Sequence, residues 1–354
     1  MAFGAAQIPR CYIARMGISG RPSSREDREI ITQLMQQELH LAPASAAIEP
    51  AFLEWKYWQP HPLCEGSRGY VLQHQGRIVS HGCRWPIRLR TSDGDLDSCH
   101  LIDWVADPNI PGAGMKALHE CASGMSAMFS IGGSAVGQRV VSAFGFQPIG
   151  QVWVLARPLH ALNPAWGSSP RDWKFAARLI RNAVWKFLPR SKLASGWRVE
   201  PVPLSEIPEG LFPRPTVGQA VSARSAPVLN HMAGCPSFVR FQGYTLSDSV
   251  DPIAYFVLAQ VRKEVRLIDF GPAGLNADMS QILGAAVQQV APADFPTASS
   301  ISTAATETAV REGLLRSGFR DGPPKIMRVL ALKPEIRNIP SFRLTMIDWD
   351  IACL

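Results

Sequence analysis

The chain has 354 residues, of which 46% are hydrophobic and 18% charged. That is too apolar for a disordered chain and too lightly charged for a coiled coil; at roughly 150 residues per domain it predicts two domains. No run of about 18 uncharged apolar residues occurs, so no transmembrane helix is expected. The whole net charge of +7 sits in one window, since residues 171–198 hold eight basic residues and one acid, Asp172. A general nucleic-acid binder spreads its basic surface over a domain, so no nucleic-acid partner is expected. The seven cysteines are scattered, with no CxxC pair and no His at zinc spacing, and the N-terminus lacks a basic stretch followed by an apolar one. These features predict a reduced, cytoplasmic protein with no metal and no secretory signal.

In chain order, Arg25 to His40 reads as a helix, with Ser23 or Ser24 as cap and Glu26 and Asp27 near its positive end. Ala51 to Tyr57 reads as a short second helix, stopped by the Pro60 and Pro62 region. The period then changes: Gly69 to Pro86 is two β-rich runs around a Gln75-Gly76 turn. Cys99 to Val105 is a further strand. Asp107-Pro-Asn-Ile-Pro-Gly112-Ala-Gly114 follows, then a helix from Met115 to about Met125, a strand at Ala127 to Ile131, a helix from Ser134 to Phe144 ending at Gly145, and a strand at Val152 to Ala156. The second half repeats the plan. A hairpin joins Ala254–Val261 to Glu264–Phe270, and a helix runs from about Met279 to Val290. A strand follows at Ala298–Ser302, then a helix from Glu307 to Ser317 that ends in Gly318-Phe319. The closing strand is Val329–Leu332.

The junction at Pro108–Lys116 carries the strongest motif. Two glycines, Gly112 and Gly114, at a strand-to-helix turn let backbone N–H groups approach an anion. The helix N-terminus adds partial positive charge, and Lys116 in the first turn adds a cation. That chemistry suits a pyrophosphate; an ordinary glycine turn punctuated by Pro108 and Pro111 is the plain alternative. No GxSxG elbow and no Walker loop occur, and the turn lacks the third glycine of a dinucleotide fingerprint.

The order of elements, the Gly112-x-Gly114 junction and the downstream helix ending in Gly145-Phe146 resemble the GNAT acyltransferase superfamily over about residues 10–160. There, a loop of the form Gln/Arg-x-x-Gly-x-Gly/Ala cradles the pyrophosphate of acyl-CoA. Asn109 stands here at the Gln/Arg position, and Pro111 stands where an Arg usually precedes the first glycine. Residues 198–340 resemble a degenerate copy, with Ile268-Asp269-Phe270-Gly271-Pro272 at the strand and loop but no GxG after it. The resemblance implies an α/β fold of two GNAT-like mixed β-sheet domains with flanking helices. Their limits would be 1–160 and 198–354, joined by a basic amphipathic helix in a 161–197 linker. It implies acetyl-CoA or another acyl-CoA as co-substrate, held by Trp104, Val105 and the turn Pro111, Gly112, Ala113, Gly114, Met115 and Lys116.

Acyl transfer to an amine needs a base for the amine proton and an acid for the leaving thiolate. The resemblance implies a carboxylate near the central strand as base, and Asp103 is the matching residue. His100 and His81, on neighbouring strands, are the runners-up. A structural carboxylate or plainly buried histidines are the alternatives. The family's acid is commonly a Tyr four residues before the Gly of Gly-Phe; that position is Val141, and Ser134 and Ser142 are the nearby hydroxyls. Trp55 and Tyr57, with His81, are candidates to flank the acceptor, against an amphipathic helix that simply buries Phe52, Trp55 and Trp58.

Over Asp172–Leu188, Arg171, Lys174, Arg178 and Arg181 fall on one helical stripe and Trp173, Ala176, Ile180, Val184 and Phe187 on the opposite one. A linker helix packed on a domain is one reading; peripheral contact of 171–188 with an anionic membrane is the other. The function expected is an acyl-CoA-dependent N- or O-acyltransferase acting on an amino sugar, a polysaccharide precursor or a related cell-envelope metabolite, with a small-molecule or lipid-linked sugar as acceptor. The protein would be cytoplasmic, with the inner membrane face as its peripheral site. An aminoacyl transferase of the peptidoglycan-bridge type, and a non-catalytic degenerate GNAT that binds a ligand or partner, are the alternatives.

Overall fold

The computed structural model of the chain describes residues 17–159, 191–248 and 251–354, together with Ile180 and Val184. Apart from those two residues, the basic stretch 171–188 lies outside the described residues. Among the described residues no helix is long and apolar enough to cross a membrane.

The first unit runs β1 (Ile18–Pro22), α1 (Arg28–Glu38), α2 (Pro50–Leu53, continued by a π turn over Glu54–Trp58), β2 (Gly69–His74), β3 (Arg77–Thr91), β4 (Gly94–Ala106), α3 (Ala113–Ala122), β5 (Ala127–Ile131), α4 (Ala135–Phe144) and β6 (Gln147–Pro158). The second runs β7 (Arg198–Val202), β8 (Gln219–Ser222), α5 (Ala226–Ala233), β9 (Phe238–Ser247), β10 (Pro252–Val261), β11 (Glu264–Gly271), α6 (Ala277–Asp294), β12 (Ser300–Ala305), α7 (Thr308–Arg316), β13 (Arg320–Asp321), β14 (Lys325–Ala331), α8 (Pro334–Arg337) and β15 (Ser341–Arg343).

Local chemistry explains the punctuation. Gln75 and Gly76 both take positive φ, 50° and 78°, as a tight hairpin turn between right-twisted strands requires. Ser134 caps α4 by accepting from the Gly137 amide at 3.1 Å. That helix ends on Gly145, with the Phe146 amide donating back to the Val141 carbonyl at 3.1 Å. The second unit repeats this ending at Gly318, where the Phe319 amide donates to the Leu314 carbonyl at 3.0 Å. Both phenylalanines are buried, so each Gly-Phe pair turns the chain and anchors it in the same step.

The sheets of the two units are continuous, in the order β1-β2-β3-β4-β5-β14-β6-β12-β11-β10-β9-β7. The units exchange their closing strands. β14 enters between β5 and β6, pairing antiparallel from Met327↔Ile131 to Ala331↔Ala127. β6 pairs in turn with β12 of the second unit, from Ser300↔Pro158 to Ala305↔Trp153. The core follows the exchange: Leu155 and Leu159 of the first half pack in the second unit's cluster around Phe256, Phe270 and Phe295. Met327 and Val329 of the second half pack in the cluster with Phe52, Trp55 and Phe129.

Candidate active site

The parallel pairing of β4 with β5 stops at His100↔Phe129, although β4 continues to Ala106. In this unpaired stretch a bulge sets Asp103 and Trp104 against Gly82 alone on β3, between the pairs Cys83↔Ile102 and His81↔Val105. Asp103 takes φ 48° there. A left-handed Asp is uncommon but tolerated, and a bulge re-aims the side chain that carries it.

The carboxylate meets the π turn of α2. Tyr57 donates its hydroxyl to Asp103 Oδ2 at 2.7 Å, and Lys56 Nζ lies 2.6 Å from the same oxygen. Oδ1 makes no hydrogen bond among the described residues, and the side chain is 8% exposed. A π turn is a frequent mark of a functional segment. This one buries Trp55, Lys56, Tyr57 and Trp58 in succession. Arg68 holds it by donating to the carbonyls of Trp55, Lys56 and Gln59, the last two at 2.7 Å each. Those carbonyls have no partner within the helix.

Lys56 is shared. Its ammonium also pairs with Asp350 Oδ2 at 2.8 Å, near the C-terminal end of the second unit. Burial works against its charge, but the carboxylates of Asp103 and Asp350 outweigh that and hold its pKa above the ordinary lysine value. Burial, aided by the neighbouring Asp103, pushes the Tyr57 hydroxyl well above its ordinary pKa. His81 donates from Nδ1 to the Asp103 carbonyl at 3.2 Å, and its Nε2 is buried without a partner. Burial lowers His81 to about 4 and His100, whose Nδ1 is likewise buried and unpartnered, also to about 4.

The turn after β4 is built for tightness. Asp107 accepts from the Asn109 amide at 2.9 Å and from its side chain at 3.0 Å, and pairs with Arg77 at 2.8 Å. Asn109 is thus spent on folding the loop. Gly112 caps α3 with φ 82°. Trp104 donates from its indole to the Gly114 carbonyl at 2.9 Å. A Cβ at Gly114 would sit 3.3 Å from that ring. The Ala113 amide already donates to the Ile110 carbonyl at 3.2 Å, which leaves those of Gly114 and Met115 at the N-terminus of α3 beside the Trp104 ring, with Lys116 on the same turn 4.0 Å from Glu120.

The structure thus brings Tyr57, His81 and Asp103 together and places Trp104 and Gly112–Lys116 at the end of the same strand. Val105 is buried in the core. Trp55 stacks on Phe52 and His231, at 5.8 and 5.2 Å between ring centroids, inside an aromatic cluster rather than beside Asp103. Val141 is buried; Ser134 caps α4 and Ser142 donates to the Gln138 carbonyl at 2.8 Å. Lys56 and Asp350 were not legible as site residues. The one signal for Lys56 was a lysine inside the aromatic run Trp55-Lys56-Tyr57-Trp58.

The second unit mirrors this arrangement but closes it. Asp269 on β11 is fully buried and accepts from Tyr255 at 2.6 Å, Arg224 at 3.0 Å and Thr345 at 2.7 Å. Parallel pairing with β12 stops at Leu267↔Thr303. The Gly274 amide, in the loop before α6, donates to the Glu307 carboxylate at 3.3 Å, itself held by Arg343 at 2.7 Å. A Cβ at Gly271 would lie 2.3 Å from the Leu211 carbonyl. In this unit the loop amide is already bonded and Gly271 has no room beside it for a further atom.

No family profile matches the chain, and no curated protein matches it in sequence. Solved structures do match its fold. A GCN5-related N-acetyltransferase from Anabaena variabilis superposes with a TM-score of 0.56 at 10% identity, covering 89% of this chain and 73% of that one. N-myristoyltransferase of Saccharomyces cerevisiae, solved with bound myristoyl-CoA and inhibitors, gives 0.55 at 10% identity over 94% and 82%. A tandem GNAT protein from the clavulanic acid biosynthesis pathway gives 0.52 at 11% identity over 90% and 99%. The chain has the GNAT fold in its tandem form.

Proposed function

We propose that the first unit is an acyl-CoA-dependent acyltransferase and that Asp103 is its general base. The observation that carries this is a bulged carboxylate, fixed through one oxygen by Lys56 and Tyr57 with the other oxygen free, on the strand that runs directly into a glycine turn at a helix N-terminus. The co-substrate is read as an acyl-CoA whose pyrophosphate lies on the Gly112–Lys116 turn. It supplies an activated thioester. The part of this chain is to hold the phosphates on backbone amides and Lys116, and to take the acceptor's proton at Asp103 Oδ1 as the acceptor N–C or O–C bond forms and the C–S bond breaks. With Val141 at the family's tyrosine position, the departing thiolate takes its proton from water. The acceptor is read as an amine or hydroxyl of an amino sugar or related envelope precursor, by analogy of fold.

The test is titration calorimetry with CoA, acetyl-CoA and myristoyl-CoA, the last because a structural neighbour was solved with it. The fully partnered Asp269 and the bonded Gly274 amide of the second unit predict one molecule bound per chain. Failure of all three to bind sinks the proposal. With a donor in hand, Asp103→Asn should cut CoA release by roughly 10²–10⁴-fold with little change in CoA affinity; undiminished release removes Asp103 from the mechanism. A binding-only protein is the second reading, favoured by the commitment of Asn109 to its loop. It predicts tight CoA binding with no release.

A further inference from the structure

Arg84, on β3, is fixed at the C-terminal end of α3. Its Nε donates to the Cys121 carbonyl at 2.8 Å, and its Nη2 donates to the carbonyls of Glu120 and Ser123 at 2.6 and 2.8 Å. These are acceptors that a helix end leaves open. The guanidinium lies 4.3 Å from the centroid of the Tyr70 ring. Among the described residues no carboxylate pairs with it, and its Nη1 makes no hydrogen bond and is not sealed from solvent. Arg68 is its neighbour across the chain, since the Arg84 amide donates to the Arg68 carbonyl at 2.9 Å. Arg68 too is given only carbonyls, those of Trp55, Lys56 and Gln59, and no carboxylate among the described residues. Burial holds it below the ordinary arginine pKa.

Both arginines line one cleft of about 190 Å³, walled by residues of the 63–68 loop, β3, β4 and Met125 just beyond α3. Drug-sized ligands take roughly 300–1,000 Å³, so the cleft suits a molecule of amino-acid size and excludes a nucleotide. Leu63, Ile87 and Met125 give it an apolar wall, and Glu65 and Asp97 bring carboxylates to the same lining. Asp97 is 62% exposed and pairs with Arg88 at 2.8 Å. Glu65 is exposed and has no ion pair among the described residues. A lining with one free guanidinium edge and two carboxylates repels a dianion such as phosphate and matches a ligand that carries both signs. Arg84 grips the last turn of α3, whereas the Gly112 turn stands before the first; ten residues of helix, about 15 Å, separate them.

We propose that this cleft binds a small zwitterion of the α-amino-acid type. Its carboxylate lies on the free edge of Arg84, its ammonium faces Asp97 and Glu65, and its side chain packs on Leu63, Ile87 and Met125. Three carbonyls and an aromatic ring fix the guanidinium before the ligand arrives, so little ordering is left for binding to meet. The site does not depend on Asp103 being a base. Its two arginines nevertheless grip both parts of the candidate active site: Arg84 holds α3, and Arg68 holds the π turn that carries Lys56 and Tyr57.

The experiment is titration calorimetry of the full chain with alanine, leucine and phenylalanine, and with leucinamide and 4-methylpentanoate, which each keep one charge of leucine and lose the other. Leucine should bind at one molecule per chain, and both analogues at least about tenfold more weakly. Arg84→Lys keeps the cation and loses the fork, and should weaken leucine at least about tenfold. Asp97→Asn combined with Glu65→Gln changes only exposed carboxylates, so the fold stands; it should weaken leucine and leave 4-methylpentanoate no weaker. Failure of all three amino acids to bind overturns the proposal. So does equal binding of leucine and its two analogues, or unchanged leucine affinity in the Asp97→Asn, Glu65→Gln variant. Displacement of leucine by inorganic phosphate, or competitively by CoA, places it on another site and overturns the proposal as well.

Discussion

Lys56 is the residue whose removal the site tolerates least. Its ammonium has no exposed surface and lies between two carboxylates that are 8% and 17% exposed. Lys56→Met keeps the length of the side chain and strips the charge, leaving Asp103 and Asp350 facing each other unpaired. Breaking a buried pair from one side costs about 3–5 kcal/mol, and denaturant unfolding should show a loss of that size; a loss below about 1 kcal/mol would mean that solvent at the two carboxylates compensates for the missing ammonium. His81 and His100 make a second residue-scale expectation. Both have pKa values lowered to about 4 in the fold against an ordinary 6.5, so between those values the unfolded chain binds the protons. Their contribution is complete above pH 6.5 and is lost as pH falls toward 4, by about 2 kcal/mol each at pH 5. Unfolding curves at pH 7 and pH 5 measure the drop, and His81→Gln should shrink it by about that amount. At this scale the resemblance marked Asp103 as the matching carboxylate, His81 was marked as a histidine on a neighbouring strand, and Tyr57 as an aromatic that could flank the acceptor. It could not mark Asp350, which reaches Lys56 across 294 positions of chain, a separation on which local pattern is silent.

Among elements, the strand-turn-helix from β4 to α3 carries the anion-binding argument. Gly114 packs its bare Cα against the Trp104 ring. Gly114→Val would push that ring into the space proposed for the phosphates while leaving the helix able to form, since valine costs well under 1 kcal/mol in a helix. CoA affinity measured by calorimetry should fall at least about tenfold (~1.4 kcal/mol) with the near-ultraviolet dichroism largely kept. Unchanged affinity places the phosphate elsewhere. The helices and hairpins around this turn were readable because each carries its own stop signal: Ser134 and Gly145 at the two ends of α4, Gln75-Gly76 between β2 and β3, Gly318-Phe319 after α7. The bulge at Asp103 was not readable. It arises from two residues facing one across a strand pair, a count that only the pairing itself defines.

At the scale of the whole molecule, two repeats were visible in the order of elements, but their exchange of β6 and β14 was not. Both strands read as ordinary closing strands, and nothing local says which unit a closing strand closes. The exchange makes a direct prediction. A fragment of residues 1–160 lacks β14, leaving the inner edge of β5 open and taking Met327 and Val329 out of its core. It should fail to give a cooperative thermal transition, whereas the full chain should unfold in one step with equal calorimetric and van't Hoff enthalpies. A stable, cooperatively melting fragment would show that the exchanged strand is dispensable.

The same exchange bears on how the chain is made. β5 leaves the ribosome roughly 190 residues before its neighbour β14, which at about 5–20 residues per second is on the order of 10–40 s of synthesis. Through that interval the nascent chain carries an unpaired, apolar strand edge of the kind that recruits other chains. Output of native protein should therefore depend on elongation rate and on factors that shelter nascent chains, more steeply than for a protein of this length whose domains close one after the other.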